Sequence, residues 1–521
     1  RKGVNSERIY INPSLLLKAG DKTEIVLEGD YMKDNRTPDY GTGAINYQVA
    51  AIPRDRFLNL PWAYNNTVQK TATGTITHRI SNTVGLRGIV SFQQYNNELF
   101  SANRPNGSGA MVATDGTWTR GLQKTATDEN YYFSSLDLNA KLKTGKLQHT
   151  VLLGADADRY KTSATTFKTY ANAAIGNKNI YDTVNLFDPS SFNKRGDIPY
   201  LPADRITTSP ILRYGIYAQD LVSILDNLKL LAGVRYSYQQ NQAATVDTLS
   251  KNTRGTIASF SNDAFSPRLG IVYQPGRATS LFASYTNSFA VNSGVDINNN
   301  ALAPSIIDQY EAGIKNDLFK GALTVNLTAY RIVNSNFAQT ALLLADGSAN
   351  NNSNIKELTG ETTSKGIELD IQTRDINGFK VLAGYSYNDM RYTGVNGNTV
   401  NGNKKGDRLR YNPAHTANAS VQYSFSKESL LHGFSFGAGA FYVGDRLAGR
   451  NPTNSTSNTY KLMPLPDYIT ADIHAGYTNK NISVRLKLSN LFDQLSYNAH
   501  DDNSVNPIAP RQVVGTVGYK F

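Results

Sequence analysis

Residues 511–521, RQVVGTVGYKF, decide the fold class of this chain because they alternate in polarity and end on an aromatic residue. One face of the alternation is apolar apart from Gly515 and carries Val513, Val517, Tyr519 and Phe521. The other face is mainly polar. Soluble sheets seldom end on an aromatic residue with nothing after it, whereas outer-membrane barrels do, because their last strand carries the signal for assembly. The segment therefore predicts a transmembrane β-barrel.

The composition fits a barrel because the chain has a low hydrophobic content and no long apolar stretch. Only 40% of the 521 residues are hydrophobic, yet the chain contains 31 Tyr and 20 Phe, and it has no Cys. No stretch approaches the roughly 20 consecutive apolar residues that a transmembrane helix needs. A closed barrel avoids that requirement because its strands satisfy each other's backbone hydrogen bonds and only every second residue meets lipid. Abundant Tyr is typical of the aromatic girdles at the two membrane surfaces.

The net charge of +11 comes from 53 basic and 42 acidic residues that are dispersed along the chain. No basic run, zinc-ligand spacing or recognition helix appears, so the sequence does not predict a nucleic-acid partner. The positive excess is compatible with contacts to anionic outer-membrane lipids and lipopolysaccharide. It is equally compatible with a positive lumen for anionic cargo, or with ordinary solvated loops.

Alternating runs recur along the chain. In residues 227–240 every second residue is apolar, and in residues 481–489 Arg485 and Lys487 alternate with apolar residues. Each of these two cations would cost roughly 2–4 kcal/mol at mid-membrane on a lipid-facing surface, so we expect both to face the lumen. Short turns such as Asn377-Gly378 alternate with long polar loops, as in barrels with short periplasmic turns and long outer loops. We count about nineteen strands in a single barrel domain, residues 1–521.

Short motifs along the chain resemble successive elements of TonB-dependent siderophore receptors. Each motif is short, but their order spans nearly the whole chain. In chain order they are Ser6–Ser14, Asp21–Glu24, Tyr217–Asp220, Leu231–Tyr236, Ser266–Gly270, Asp308–Lys315, Ser364–Asp370, Gly437–Gly439 and Asn490–Asp493.

The resemblance implies a 22-stranded importer of ferric siderophores in the outer membrane of a Gram-negative bacterium. The ferrichrome and ferric-hydroxamate branch is the most similar. Energy would come from the TonB-ExbB-ExbD complex through an N-terminal plug, which this sequence does not contain, along with the first strands. Arg1 is not preceded by a signal peptide, so we expect the natural protein to be longer. No cofactor is implied, because the siderophore encloses its own iron.

Cargo of this kind needs aromatic and hydrogen-bonding groups at the outer mouth, with cations if the chelate is anionic. The same side chains could instead belong to the aromatic girdle or pack inside a loop. The candidates for cargo contact are Arg36, Tyr40, Trp62, Tyr64, Phe100, Arg104, Trp118, Tyr160, Phe289 and Tyr392.

A second group consists of charged motif residues. The resemblance implies that they face the lumen and contact the plug, whose polar surface needs partners. The alternative is ion pairing within the barrel wall. These residues are Asp220, Arg235, Arg268, Glu311, Glu368 and Asp370.

Other functions receive less support. None of the six His residues has the spacing of a zinc site or of a hydrolase nucleophile and its base. His500 in the last outer loop is the one His placed to bind haem, and a solvated loop is the simpler interpretation. Rival interpretations are a related receptor for haem, cobalamin or oligosaccharide, and a passive pore or structural barrel without a plug.

Overall fold

The computed structural model describes residues 3–106, 112–173, 176, 178–193, 195–341, 343–348, 350, 352, 354–395, 404–449, 462–499 and 505–521. The chain divides into two compact units. The first unit comprises Arg1–Ile224 and Leu231–Arg268, and the second comprises Leu225–Leu230 and Leu269–Phe521. The His500 prediction lies outside the described residues.

The first unit is a run of long antiparallel strands with small hairpins in its loops. Strands β1 and β2 both pair with β3, and the order then continues through β6, β7, β9, β10 and β12. The strands are β1 (Ser6–Ile11), β2 (Ser14–Ala19), β3 (Thr23–Arg36), β4 (Ala44–Ile45), β5 (Gln48–Val49), β6 (Tyr64–Arg79), β7 (Val84–Ala102), β8 (Thr117–Arg120), β9 (Leu122–Thr144), β10 (Leu147–Phe167), β11 (Asp182–Asn185), β12 (Ala203–Leu225), β13 (Leu228–Asn241), β14 (Ala244–Thr248), β15 (Thr253–Ile257) and β16 (Phe260–Gly276), which continues into the second unit.

The second unit repeats the antiparallel pattern. Strands β17 to β23 pair in sequence order, followed by β26, β27 and β30. The strands are β17 (Thr279–Ala290), β18 (Ser305–Leu318), β19 (Leu323–Thr340), β20 (Lys356–Thr373), β21 (Phe379–Gly394), β22 (His415–Ser424), β23 (Phe434–Val443), β24 (Arg446–Gly449), β25 (Leu462–Leu465), β26 (Tyr468–Thr478), β27 (Ile482–Ser489), β28 (Tyr497–Ala499), β29 (Val505–Pro507) and β30 (Gln512–Tyr519).

Helical structure is limited. Short 3-10 turns occupy Pro189–Asn193 and Leu249–Lys251. Within the described parts of the chain, no helix has both the length and the apolar character needed to cross a membrane.

Each long strand has an apolar face and a polar face, because successive side chains point to opposite sides. In the first unit Leu136, Leu153 and Ile216 lie on the apolar face and are 53%, 45% and 60% exposed. The opposite face carries charged groups, among them Asp137 and Asp156. Apolar surface this extensive is stable only when lipid or protein covers it.

The C-terminal strand confirms the alternation predicted from residues 511–521. Val513, Val517 and Tyr519 pair with apolar residues of β27 and are 68%, 76% and 61% exposed. Arg485 and Lys487 lie on the other side of β27, where Lys487 Nζ is 2.8 Å from an Asp472 carboxylate oxygen. Both cations therefore occupy the polar face, as predicted.

The two ends of the strands differ. Tight turns join them at one end, for example at Gly145 (φ 60°) and at Asn377-Gly378 (φ 51° and 90°), where the backbone is left-handed. Long loops join them at the other end. Asn12-Pro13 separates β1 from β2, because proline has no N–H to donate to the ladder.

The long loops of the first unit form the best-packed part of that unit. The antiparallel strand pair β8–β11 joins two of these loops and is stabilised by Arg120, whose guanidinium lies 2.7 and 2.5 Å from the Asp182 carboxylate. The first loop core consists of Ala50, Ile52, Leu58, Val112, Trp118, Val184, Leu186 and Phe192. The second loop core consists of Leu60, Ala63, Phe100, Ala102, Leu122, Tyr181 and Leu201.

The last two long loops of the second unit are joined by a buried cation. Arg446, 3% exposed, donates hydrogen bonds to the carbonyl oxygens of Gly444 (3.2 Å), Pro466 (3.4 Å) and Tyr497. Its guanidinium also lies 5.2 Å from the Tyr468 ring centre. Burial lowers the pKa of Arg446. The carbonyl dipoles and the ring provide the compensation that a buried charge requires.

Candidate functional site

A concave pocket of about 440 Å³ lies on the polar face of the first unit, toward the long-loop ends of the strands. It spans the neighbouring strands β7, β9, β10 and β12. Its walls combine three aromatic rings with hydrogen-bonding groups and one charge of each sign. The lining residues are Gln93, Tyr95, Glu129, Tyr131, Tyr160, Ile211 and Arg213.

The strand register brings these side chains together. Tyr160 of β10 pairs directly with Tyr131 of β9 and with Ile211 of β12, so all three project from the same face. The Tyr131 and Tyr160 ring centres are 6.4 Å apart at an interplanar angle of 62°. This edge-to-face arrangement is favourable for aromatic pairs and leaves ring surface available to a ligand.

Charges next to the pocket are compensated by partners on adjacent strands. Arg213 Nε donates a 2.8 Å hydrogen bond to Asp158 beside the pocket. Farther along the same face, Arg235 binds Asp156 through two hydrogen bonds of 2.6 and 2.8 Å. Tyr217 lies beyond that second pair, with its ring 5.4 Å from the Arg235 guanidinium. Paired charges of this kind are held in fixed geometry, so the pocket offers oriented hydrogen-bonding groups and aromatic surface.

Four predicted cargo residues are packed in the loop cores instead. Trp118 is 1% exposed in the first loop core, and Phe100 is 3% exposed in the second. Trp62 and Tyr64 pack against the second loop core, with ring centres 4.8 and 6.3 Å from that of Phe100. Their positions favour the loop-packing alternative, because a ligand could reach Trp118 or Phe100 only if the loops opened.

Tyr40 links a long loop to the ends of β7 and β9. Its hydroxyl lies 2.9 Å from Ser101 Oγ and accepts a 3.0 Å hydrogen bond from Gln123 Nε2. Burial raises the pKa of the Tyr40 phenol, and the positive charge of Arg104 partly offsets that rise. Tyr40 and Arg104 are therefore near one another, in a junction that holds the loop in place.

Arg36 lies at the end of β3 on the polar face. Its guanidinium is 2.7 Å from an Asp34 carboxylate oxygen, and Arg8 binds the same oxygen at 2.5 Å. The Asp34 side chain is 0% exposed, whereas those of Arg8 and Arg36 are 53% and 46% exposed. Two cations share one carboxylate, so this cluster presents net positive charge to solvent.

The remaining cargo candidates lie on different faces. Tyr160 lines the pocket described above. Tyr392 lies on the polar face of the second unit, where its backbone N–H donates a 3.0 Å hydrogen bond to the Asp407 carbonyl oxygen. Phe289 pairs with Ile306 and shares the face of Leu281, which is 40% exposed. That is the apolar face, so Phe289 fits a place in the aromatic girdle better than a contact with cargo.

The prediction that Asp220 faces the lumen is wrong. Asp220 pairs with Val151 and shares its face with Ile216, so it lies on the apolar face. Its carboxylate is compensated there by His149, whose Nδ1 is 2.7 Å from Asp220 Oδ2. The other five predicted residues lie on the polar face of their strands, and contact with a plug stays a prediction for Arg235, Arg268, Glu311, Glu368 and Asp370.

Sequence analysis missed most of the pocket, although the signal was present. Tyr95, Tyr131 and Arg213 occupy alternating polar-face positions near the loop ends of long strands. Each could have been found by following the alternation outward from an apolar row, rather than by choosing rare aromatic residues in loops. Among the described residues, no group of three or more His, Cys, Asp or Glu is placed to hold a metal ion.

Comparisons with known proteins agree with this geometry. The family model described as "TonB dependent receptor-like, beta-barrel" matches residues 12–491. The chain is 26% identical over 520 residues to the metal-pseudopaline receptor CntO of Pseudomonas aeruginosa, covering 98% of this chain and 68% of that protein. It is 25% identical over 548 residues to the ferrichrome outer membrane transporter/phage receptor of Escherichia coli, covering 100% of this chain and 68% of that protein.

A solved structure gives the same fold. The siderophore receptor PiuA from Acinetobacter baumannii matches with a TM-score of 0.82 at 19% identity, covering 100% of this chain and 75% of that one. At this identity the similarity establishes the fold alone.

Proposed function

The chain belongs to the TonB-dependent receptor β-barrel family, and from that premise we propose that it binds a ferric siderophore and imports it into the periplasm. Relatives in this family are transport receptors of the Gram-negative outer membrane, not enzymes. The long loops would face the cell exterior and the tight turns the periplasm. The cargo would carry its own iron, so the receptor needs no cofactor.

The polar-face pocket is the observation that supports this proposal most directly. A chelate that encloses its metal presents ring edges, carbonyl oxygens and hydroxyl groups rather than open coordination sites. Tyr95, Tyr131 and Tyr160 offer aromatic surface and hydroxyl groups to such a molecule, and Gln93 adds an amide. The neighbouring Arg213–Asp158 pair holds the wall in place. Aromatic surface with a few oriented polar groups is the lining expected of a site for a small molecule of this kind.

Energy for release would come from the TonB-ExbB-ExbD complex acting through a plug in a longer protein. The charged residues of the polar face, including Arg268, Glu311, Glu368 and Asp370, would then line the wall against that plug in a barrel of 22 strands. The cycle would be conformational rather than chemical. The chain covers 68% of the length of its relatives CntO and the ferrichrome transporter, which leaves room for such a domain.

The names of the relatives suggest which siderophores to test first. They are receptors for metal-pseudopaline, ferrichrome and ferrioxamine B. Haem, cobalamin and oligosaccharide are the alternatives within the same architecture. A plugless passive pore is the alternative from another class, and single-channel recording of the complete protein would reveal it as steady conductance.

The test is uptake of radiolabelled iron by a strain that lacks its own siderophore receptors and expresses the complete protein. Ferrichrome, ferrioxamine B and a metallophore of the pseudopaline type would be offered separately, with haem and cobalamin as comparison cargo. We expect saturable uptake of one ferric siderophore that is lost when TonB is depleted. Uptake of haem or cobalamin alone, or iron entry that is independent of TonB, would contradict the proposal.

A further inference from the structure

The polar-face pocket contains a carboxylate whose charge is not balanced by a protein cation. Glu129 of β9 is half-buried in the pocket wall, where its direct cross-strand partners are Tyr95 of β7 and Thr162 of β10. Neither partner is a cation. Among the residues that the structure describes, no Lys, Arg or His nitrogen lies within ion-pair distance of the Glu129 carboxylate. A negative charge is therefore left for a ligand.

Arg213, the cation among the described lining residues, is already paired. Its Nε lies 2.8 and 3.2 Å from the two carboxylate oxygens of Asp158, its direct cross-strand partner. The Asp158 side chain is 13% exposed, and partial shielding from water strengthens its attraction to the guanidinium. An anionic ligand would have to compete with Asp158 for Arg213, whereas a cationic ligand could bind Glu129 without displacing another charge.

The neighbouring strand shows how carboxylates of the barrel wall are paired in this region. Asp156 and Asp158 both lie on the polar face of β10. Arg235 binds Asp156 and Arg213 binds Asp158, each through two hydrogen bonds. Glu129, by contrast, has no arginine on either adjacent strand opposite it. Its charge therefore does not contribute to the ion pairing that stabilises this wall.

Three tyrosines beside Glu129 also favour a positive charge in the pocket. Tyr95 is its cross-strand partner, and Tyr131 lies two positions along the same strand, on the same face. The Tyr160 phenol interacts with the Glu129 carboxylate. The face of an aromatic ring attracts a cation that lies within about 6 Å of its centre. A carboxylate surrounded by such rings is suited to an alkylammonium or guanidinium group.

We propose that Glu129 selects the charge of the cargo, and that the cargo is a ferric siderophore with a protonated amine or guanidinium group outside its iron-binding core. Glu129 accepts a charge-assisted hydrogen bond from this group, and the tyrosine rings contact its methylene carbons and its charge. A siderophore with a free carboxylate at the same position is disfavoured, because it would place two negative charges together. This inference rests on the proposed function, since it names the class of siderophore that the same pocket binds.

The experiment compares two ligands that differ by one charge. Ferrioxamine B carries a free primary amine on a ferric trihydroxamate core, and this amine is protonated at neutral pH. Acetylation of the amine removes the charge and leaves the core unchanged. Calorimetric titration of the complete receptor in detergent, without TonB, would measure both affinities. We expect the wild-type protein to bind the amine form about 10-fold more tightly, as a hydrogen bond between charged groups predicts.

Glu129→Gln removes the charge but keeps the size of the side chain and a hydrogen-bond acceptor. It should bind the amine form about 10-fold more weakly than the wild type does, and the acetylated form within about twofold of wild type. Glu28→Gln is the matched control, because Glu28 is exposed on the polar face of β3 and pairs with Thr73, away from the pocket. It should retain the wild-type preference for the amine form.

Three results would overturn the proposal. They are equal wild-type affinity for the two forms, binding of neither form, and a loss in Glu129→Gln that is the same for both forms. If the uptake assay selects another siderophore, the comparison is repeated with that molecule and its acetylated form, and a siderophore without a cationic group would also overturn it.

The two proposals can fail separately. TonB-dependent uptake of uncharged or anionic siderophores alone would support the proposed function and contradict the role of Glu129. A preference for the amine form that disappears in Glu129→Gln, without TonB-dependent uptake, would support the role of Glu129 and contradict the proposed function.

Discussion

The loop cores and the polar-face pocket of the first unit use aromatic residues in opposite ways. Trp118 and Phe100 are 1% and 3% exposed inside loop cores, whereas Tyr131 and Tyr160 line an open pocket on regular strands. The loops of this unit are long enough to build hydrophobic interiors of their own, and large aromatic residues stabilise such interiors. A Trp in an outer loop therefore indicates a packed loop as readily as a binding site. Whether a side chain can face a ligand is better predicted from the alternation of polar and apolar residues along its strand.

The two regions also differ in their Arg–Asp pairs, and this difference predicts the largest effect. Arg120, 0% exposed, binds Asp182 across the strand pair β8–β11, while Arg213, 42% exposed, binds Asp158 beside the pocket. Arg120→Ala leaves a buried carboxylate without a partner. We expect it to lower the local free energy of unfolding by about 3–5 kcal/mol. Hydrogen exchange of the β8 and β11 amides would measure the change.

Arg213→Ala is the comparison variant, because the Arg213 side chain is 42% exposed whereas that of Arg120 is fully buried. We expect a change of at most about 1 kcal/mol in the stability of the surrounding strands. The double variant Arg120→Met/Asp182→Leu should recover much of the lost protection by removing both charges. If the β8 and β11 amides exchanged no faster in Arg120→Ala than in Arg213→Ala, the strand pair β8–β11 would not depend on its ion pair.

The second prediction tests whether only the tyrosines on the polar face of the strands bind the ligand. Tyr131→Ala and Tyr160→Ala each remove a ring from the pocket and should weaken siderophore binding about 10-fold, or about 1.4 kcal/mol. Tyr132→Ala is the control, because Tyr132 is the next residue but lies on the apolar face, 53% exposed. Calorimetric titration with the siderophore found by the uptake assay would compare the three variants.

A direct role of Tyr131 and Tyr160 in binding requires that Tyr132→Ala keep the wild-type affinity for the siderophore and that all three variants remain fully stable. Equal losses in Tyr131→Ala and Tyr132→Ala would show that the tyrosines act through the fold. Wild-type affinity in both pocket variants would move the binding site to the loops, where Trp62 and Tyr64 were expected to contact cargo.

Much of the fold could be predicted from sequence because a barrel strand is specified locally. The period of two in residues 481–489 placed Arg485 and Lys487 on the polar face, and the structure confirms both. The same rule, had it been applied to Asp220, would have put it beside Ile216 on the apolar face. Asp220 was instead assigned from a motif, and a motif carries no information about which way each side chain points.

Less of the candidate site could be predicted, because its packing depends on distant residues. Trp118 is buried through its pairing with Val184, and Phe100 is buried together with Tyr181. Loop contacts between residues so far apart in the chain leave no periodic signal in the sequence. Only Tyr160 was both predicted as a cargo residue and found in the pocket.

The smallest predicted effect concerns Tyr40, which lies where the loops join the strands. Burial raises the pKa of its phenol above the ordinary value of 10.0, so the folded loop favours the neutral hydroxyl. The stability that this preference contributes is fully present below pH 10, and it is lost as pH rises from 10 through the folded pKa. Limited proteolysis of the loop at pH 9 and at pH 11 should therefore show faster cleavage at the higher pH.

Tyr40→Phe separates ionisation from packing. The ring remains, but the contacts of the hydroxyl with Ser101 and Gln123 are lost. We expect a cost of about 0.5–1.5 kcal/mol at pH 9, seen as slightly faster cleavage. Because the variant cannot ionise at this position, its cleavage rate should rise less between the two pH values than that of the wild type. An equal rise in both proteins would assign the alkaline sensitivity to another group and leave Tyr40 with a packing role only.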